Sequence, residues 1–389
     1  MYKGNSIAVV VTAYEEASFV GRVIKTVPEF VDRIYAVDDA SPDDSWEVIT
    51  RVADRINEST EPESELAIAD GGDARRVVPI RHDENRGYGA AVKTGYRRAA
   101  ADGIDVVAVM NGDGQMDPDV LDRIVDPVVS GEADYAKGNR LLSPEDREGM
   151  STFRFVGNAM LTGLSKFASG YWTIGDPQNG YTAISREAIE ELDLEAITDQ
   201  YGFLNHVLTH LNVAGFRVAD VAMSAVYGEE ESSIRYVPFV RFVSLLLLRS
   251  FLWRLKRRYV VEGFHPAVVF YGAGTAGIAG GSAGLAGSLR RRVQGEDAFA
   301  GTVASFATLL LGVVSLGGAI RMDAEESADL EVTRYEYESV ESESESESEP
   351  EPESIADTPS ASAPAMESSR DSAPEPSATD GTEPNRPLD

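Results

Sequence analysis

The stretch VVAVMNGDGQMDP, Val106 to Pro118, decides the fold. An apolar, β-branched run stops abruptly at Asn111-Gly112-Asp113-Gly114-Gln115, and a helix can begin at Pro118. That order places one carboxylate and two side-chain amides at the carboxyl end of a buried strand. Oxygen donors there suit a hard cation such as Mg²⁺ or Mn²⁺, and such a cation suits a diphosphate. The competing expectation is an ordinary strand-to-helix turn, in which Gly and Asp are common. The stretch alone does not separate the two.

Upstream, the same alternation repeats. Ile7–Thr12 reads as a strand, Ser18–Thr26 as a helix, Arg33–Val37 as a strand and Asp44–Ile56 as a helix led by Ser41-Pro42-Asp43. Val77–Arg81, Tyr88–Ala101, Asp105–Met110 and Val120–Val129 continue the series. Short apolar strands alternating with helices indicate βαβ units with right-handed crossovers and a mostly parallel α/β sheet. Polar, acidic residues 57–76 read as a surface insertion. Helical patterns follow at Phe153–Ser169, Arg186–Leu192 and Phe203–Val213, and a strand pattern at Arg217–Val226.

Three of these strands end in polar residues on one side of the sheet: Thr12-Ala13-Tyr14-Glu15-Glu16, Asp38-Asp39-Ala40-Ser41-Pro42-Asp43 and Asn111 to Gln115. Ligands of open α/β sheets bind at the strands' carboxyl ends. Helix capping explains any one of these acids, but hardly three together.

Composition narrows the class. The 389-residue chain carries a formal net charge of −30. From Asp323 onward there are 21 acidic and 3 basic residues, leaving −12 for the first 322. Six Lys stand against 29 Arg. An acidic, Lys-poor surface is what a high-salt cytoplasm favours and points to a halophile. The same balance argues against a nucleic-acid partner, which needs a basic face. With no Cys, disulfides, thiolate metal sites and a Cys nucleophile are excluded. The first residues read as a strand and not as a signal peptide.

After residue 235 the character changes. Tyr236–Val261 mixes apolar residues with Arg241, Arg249, Arg254 and Lys256-Arg257-Arg258, as in a helix lying at a membrane surface. The alternative is an amphipathic core helix. His265–Leu289 and Ala298–Ile320 lack Lys, Arg, Asp and Glu and are each long enough to cross a bilayer. The first is weakly hydrophobic because it is rich in Gly and Ala, and small residues there would let the pair pack closely. Arg290-Arg291-Arg292 lies in the loop between them, against a simple positive-inside pattern. Greater positive charge near the α/β part keeps that part on the cytoplasmic side. From Asp323 the Ser/Glu/Pro-rich chain reads as a disordered acidic tail.

Jointly, TAYEE, VDDASPD, ENRGYGAAVKTGY and NGDGQMDP resemble the family 2 inverting glycosyltransferases of GT-A fold, most of all the dolichyl-phosphate and polyprenyl-phosphate sugar synthases. The resemblance spans about residues 5–235. It implies a GT-A Rossmann-like domain over 1–235, to which the composition adds an interface helix over 236–262, two transmembrane helices over 265–320 and a tail over 323–389. It further implies that Thr12, Tyr14 and Glu16 contact the nucleotide and Asp38 the base. Asn85, Gly87, Gly89 and Ala90 match a glycine-rich stretch that lets a helix approach the nucleotide. Asp113 and Gln115 match the metal ligands, with Asn111 beside them. Arg140, in Lys137-Gly138-Asn139-Arg140, matches an arginine facing the sugar-nucleotide. Asp176-Pro177-Gln178-Asn179-Gly180-Tyr181 matches a later site loop.

Three departures stand out. Asn111 occupies a position where the family usually has Asp. Tyr227–Arg235 lacks the expected basic residues, apart from Arg235 itself. The Q-x-x-R-W motif of processive synthases is absent. No acidic pair precedes the acceptor helix at Asp199–Asn205, so a hydroxyl acceptor would lack a general base. A lipid phosphate needs none. The expected reaction is transfer of a monosaccharide from a UDP- or GDP-sugar to dolichyl or polyprenyl phosphate, with inversion and metal assistance. Asp113 and Arg140 are the catalytic candidates, joined by Arg154 as a ligand for the acceptor phosphate. A lipid hydroxyl acceptor is one alternative, a catalytically weak nucleotide-sugar-binding scaffold another. Homo-oligomerisation is compatible with all of these. His206 and His210, four apart, read as packing residues, as do Tyr171 and Trp172.

Overall fold

The structure is a computed structural model, and it describes residues 1–59, 75–142, 152–200, 202–223 and 236–335; side chains at 152–156, 158, 236–241 and 333–335 fall outside that description. These residues belong to one compact unit, Met1–Tyr337. The segment Tyr227–Arg235, most of the expected insertion and the chain beyond 335 lie outside the described residues.

An eight-stranded sheet forms the centre. Its strands are β1 (Ile7–Ala13), β2 (Arg33–Asp38), β3 (Val77–Arg81), β4 (Val106–Asn111), β5 (Tyr135–Asn139), β6 (Thr182–Ser185), β7 (Val218–Ala222) and β8 (Glu331–Tyr335), in the spatial order β3-β2-β1-β4-β6-β5-β7-β8. All neighbours are parallel except β6, which runs antiparallel to β4 and β5. The mostly parallel α/β expectation therefore holds. β6 was not expected. Its four residues follow a polar loop and are too few to show a period.

Strand periodicity sorts the core into two layers. Ile7, Val9 and Val11 point to one face, against α1 (Val20–Thr26), α2 (Ser45–Ser59) and α4 (Leu121–Val129). Ala8 and Val10 point to the other, against α3 (Tyr88–Ala101), α6 (Arg186–Glu191) and α7 (Phe203–Ala214). Strands covered on both faces read as continuous apolar runs, which is why β1 and β4 were legible. Burying each such side chain stabilises the fold by about 1.5–3 kcal/mol.

α5 (Thr152–Ser169) packs against α8 (Tyr236–Lys256), where Ala168, Val243 and Leu247 form a small separate core. α8 continues into a π-helical turn, Arg257–Val261. It is apolar on two sides. Val243, Leu247, Ser250 and Arg254 are buried, whereas Phe242, Leu245, Leu248 and Leu252 are exposed.

α9 (Ala267–Val293) and α10 (Phe299–Ser327) then form an antiparallel hairpin. A Cβ on Gly274 would meet Leu316, one on Gly277 would meet Gly312, and one on Gly281 would meet Leu309, all within 2.8 Å. Small residues thus set the close approach, as the composition implied. α10 with its following turn is the one described helix both long and apolar enough to cross a membrane. α9 has the length, but its Gly and Ala content leaves it short of the apolarity.

The acidic tail does not start at Asp323. α10 runs on to Ser327, Asp323 and Ser327 are fully buried, and β8 then adds to the sheet beside β7. Composition misled here because Asp323 is paired. Its carboxylate accepts from Arg254 Nη1 and Nη2 at 2.8 and 2.7 Å, from Tyr271 Oη at 3.0 Å and from Tyr259 Oη. A buried ion pair this fully hydrogen-bonded tolerates desolvation that a lone carboxylate would not.

Candidate active site

Sheet register brings the three polar strand ends together. Ala13 pairs with Asp38 across β1 and β2, and Thr12 pairs with Asn111 across β1 and β4. Thr12 is buried and Tyr14 is 43% exposed. The loop after β1 is stitched to the loop after β2. Glu15 N–H donates to Ser41 Oγ at 3.1 Å, Glu16 N–H to Ser45 Oγ at 2.8 Å and Ala17 N–H to Asp43 Oδ2 at 3.2 Å. Asp43 also accepts from the Ser45 hydroxyl at 2.6 Å. The segment that leads into α2 therefore fixes the first loop too. Burial raises the Asp43 pKa, and the bonds from Ser45 and Ala17 more than reverse this, holding the carboxyl below its usual range.

Asp38 and Asp39 face different tasks. Asp38 is fully buried. Its Oδ2 accepts from Ser41 N–H at 3.2 Å and lies 3.3 Å from Arg81 Nε, while Oδ1 has no hydrogen-bond partner among the described residues. Arg81 in turn lies over the Trp46 ring, 5.6 Å from its centroid. Asp39 braces the glycine-rich stretch: Oδ1 accepts from Arg86 N–H at 2.9 Å and Oδ2 from Gly87 N–H at 2.7 Å. Its Oδ1 also lies 2.6 Å from His82 Nδ1, and His82 Nε2 lies 2.9 Å from Thr94 Oγ1. Arg81, Asp39 and His82 were not among the expected site residues. Their signal, polar residues ending β2 and β3, was present in the sequence.

Gly87 has φ +99°, and a Cβ there would come within 2.7 Å of Asp199 O. Gly89 is likewise closed in by Thr198 O and Phe203, and its N–H donates to Asp199 O at 2.9 Å. These glycines make room for Thr198, Asp199 and Phe203. Asn85, two residues before Gly87, is exposed.

At the end of β4, Gly112 N–H donates to Thr12 O at 2.8 Å, and a Cβ on Gly112 would lie 2.8 Å from the same oxygen. Asp113 Oδ1 accepts from Gln115 N–H at 2.9 Å, closing a tight turn that Gly114 completes at φ +74°. Asn111 Oδ1 and Tyr88 Oη are both buried without a hydrogen-bond partner among the described residues. Both lie near Gly180, within 3.5 and 2.9 Å of where its Cβ would be. Burial, then the charges of neighbours including Asp113, pushes the Tyr88 hydroxyl above its usual range.

The donors fit a hard divalent cation of the type that keeps several waters: one carboxylate at Asp113, an orphaned amide oxygen at Asn111 and the Gln115 side chain. No cluster of three His, Cys, Asp or Glu side chains stands ready to hold a metal among the described residues. A cation here would take its other ligands from a diphosphate and water.

One loop joins this corner to β5. Asp176 is fully buried at φ +40°, and its carboxylate grips Arg140 bidentately, accepting from Nε at 2.7 Å and Nη2 at 3.0 Å, and from Arg140 N–H at 3.1 Å. Burial raises the Asp176 pKa, but the Arg140 guanidinium, with Lys137 nearby, holds it below the usual carboxylate range. Four residues on, Gly180 lies against Asn111. Behind the loop, buried Lys137 donates to Gly175 O at 2.7 Å, and Asp220 accepts from Gly175 N–H and Asn139 Nδ2 at 2.7 Å each. Burial pushes the Asp220 carboxyl up. Arg154 lies on α5, and its side chain is outside the described residues.

The histidines pack as expected. His206 Nδ1 accepts from Thr198 N–H at 3.0 Å, and His210 stacks on Trp253 at 4.4 Å. Burial pushes both pKa values down to about 4, so both are neutral near pH 7. Tyr171 is buried with its hydroxyl donating to Phe216 O at 2.6 Å, and Trp172 packs edge-on to Phe167.

Comparison with known proteins accords with this geometry. The chain is 24% identical over 247 residues to the UDP-N-acetylglucosamine–dolichyl-phosphate N-acetylglucosaminyltransferase of Methanococcus voltae, covering 62% of this chain and 96% of that protein. It is 30% identical over 221 residues to polyprenol monophosphomannose synthase of Mycolicibacterium smegmatis, covering 56% and 76%. Among solved structures, glucosyl-3-phosphoglycerate synthase from Mycobacterium tuberculosis, in complex with Mn²⁺, UDP and glucosyl-3-phosphoglycerate, is similar at 20% identity and a TM-score of 0.43, over 64% of this chain and 80% of that one. The model of glycosyl transferase family 2 matches residues 8–193, and with its relatives it makes this chain a glycosyltransferase belonging to that family.

Proposed function

We propose that the chain transfers a monosaccharide from a nucleotide sugar to a polyprenyl or dolichyl phosphate, with inversion at the anomeric carbon. The observation that carries this reading is the 176–180 loop. It holds Arg140 at one end and reaches Asn111 at the other, so a basic group and the Asp113 corner border one space. The two relatives named above, both transferases with a polyprenol-type lipid in their names, support the acceptor class.

A phosphate acceptor is already anionic at neutral pH. Its oxygen attacks the anomeric carbon as the bond to the nucleoside diphosphate breaks, and no proton has to be removed first. Thr12, Tyr14, Glu16 and Asp38 would bind the nucleotide at the ends of β1 and β2, with Asn85 and Gly87 at their border. Arg140, fixed by Asp176, faces the developing negative charge, where a preoriented guanidinium acts without reorganising. Mg²⁺ or Mn²⁺ held by Asp113 and Gln115 would supply charge neutralisation for the leaving diphosphate. Arg154 is assigned to the acceptor phosphate.

The acceptor's tail requires a membrane. α10 is long and apolar enough to cross one, and the exposed face of α8, Phe242, Leu245, Leu248 and Leu252, suits the interface. We place the catalytic domain on the cytoplasmic side, with α9 entering alongside α10. The deciding experiment incubates membranes at high salt with a panel of UDP- and GDP-sugars and polyprenyl phosphates, and identifies the product by mass spectrometry. A mild-acid-labile polyprenyl phosphate sugar is expected. An acid-stable glycolipid would transfer the assignment to a lipid hydroxyl.

A further inference from the structure

The strand that returns from the hairpin reaches the loop that holds Arg140. β8 pairs in parallel with β7, Glu331 opposite Val218. From there Glu331 accepts from Trp172 N–H at 2.6 Å through Oε1, and through Oε2 from Thr173 N–H at 2.6 Å and from the Thr173 hydroxyl. Three residues beyond Thr173 is Asp176, the bidentate partner of Arg140. The last turn of α5, from which the loop departs, is anchored as well. Arg254 donates to Ala168 O and Phe167 O at 3.1 Å each, and is itself held by Asp323 of α10. Loop N–H groups could be left to water. Here an anionic acceptor takes them, and such charge-assisted bonds are roughly twice as strong as neutral ones.

We propose that Glu331 is a positioning residue for sugar transfer: by fixing Trp172 and Thr173 it holds Asp176, and through it the Arg140 guanidinium, in place. The strand after the hairpin thus carries one side chain, that of Glu331, which acts on the site through the 172–176 loop. This rests on the assignment of Arg140 to the reacting groups.

The test is a double-mutant cycle in the full-length, membrane-embedded protein, read on whichever glycolipid the wild type makes. Glu331→Ala should lower kcat/KM about tenfold, and Glu331→Gln, which keeps one acceptor oxygen, should lose less. Arg140→Lys keeps the charge and loses the fork. In that background, Glu331→Ala should cost less than a further twofold. Val332→Ala, next along the same strand and packed on the core, controls for a weakened sheet edge. It should lower the melting temperature comparably while leaving kcat/KM within twofold. Multiplicative losses in the double variant, a silent Arg140→Lys, or equal activity losses for Val332→Ala and Glu331→Ala would each overturn the proposal. A product on a different lipid acceptor would overturn the polyprenyl-phosphate assignment and leave this cycle readable.

Discussion

Two residues carry opposite kinds of tension at the site. Asn111 offers a buried oxygen with no partner among the described residues, and Asp176 a buried carboxylate with a full set. Asn111→Asp adds a carboxylate beside Asp113 and Tyr88. The half-activating Mn²⁺ concentration should therefore fall, while the metal-free melting temperature should also fall, because two neighbouring, half-buried carboxylates repel. A rise in the Mn²⁺ requirement would contradict the assigned donor set. Asp176 has a depressed carboxyl pKa in the fold, so its contribution to stability is complete above the ordinary value of 3.8 and is lost as pH falls below it. Asp176→Asn, which tolerates positive φ, should flatten the dependence of melting temperature on pH below about 4. An unchanged slope would count against the Arg140 clamp. The turn at Asp113 and Gln115 was legible from its Gly and Asp chemistry, and Arg140 was named only through the family resemblance. The clamp itself was not legible, since it joins residues far apart in sequence. Asp39 was hidden by its neighbour: nothing in the pair Asp38-Asp39 tells which acid accepts from the backbone of Arg86 and Gly87.

Among the elements, legibility followed burial on both faces. β1 to β4 and their helices were readable to within a few residues, because continuous apolar runs and amphipathic helices declare themselves. β6 and β8 failed for different reasons. β6 is four residues long, and β8 is an edge strand whose composition, EVTRY, blends into an acidic stretch. Its pairing is dictated by β7 and by Glu331 and not by any pattern of its own. The hairpin was read from length and charge, but its register comes from glycines. Because the chain has no Cys, that register can be probed without background. Gly284→Cys with Ser305→Cys should cross-link under mild oxidation once the helices part slightly, since a Cβ on Gly284 would lie 3.0 Å from the Ser305 Cβ, just inside the separation of about 3.5–4.5 Å that a disulfide spans. Gly280→Cys with Ser305→Cys should not, because a Cβ on Gly280 meets nothing within 4 Å. Equal yields would deny the antiparallel packing.

For the whole molecule, charge sets the working conditions. The first 322 residues carry −12, with acidic residues outnumbering basic ones. Raising KCl from low to molar concentration should raise the melting temperature by screening this repulsion. A melting temperature indifferent to salt would remove the case for a high-salt habitat. The sheet also has an order of manufacture. β8 leaves the ribosome roughly 190 residues after Arg140 and only once both hairpin helices have been made. Domains fold as they emerge, at about 5–20 residues per second. The half of the sheet built from β1 to β4 can therefore assemble early, while its far edge waits for the hairpin to be synthesised. A nascent chain stalled before the hairpin would have an incomplete sheet, so the sheet's last strand can be added only after both hairpin helices exist.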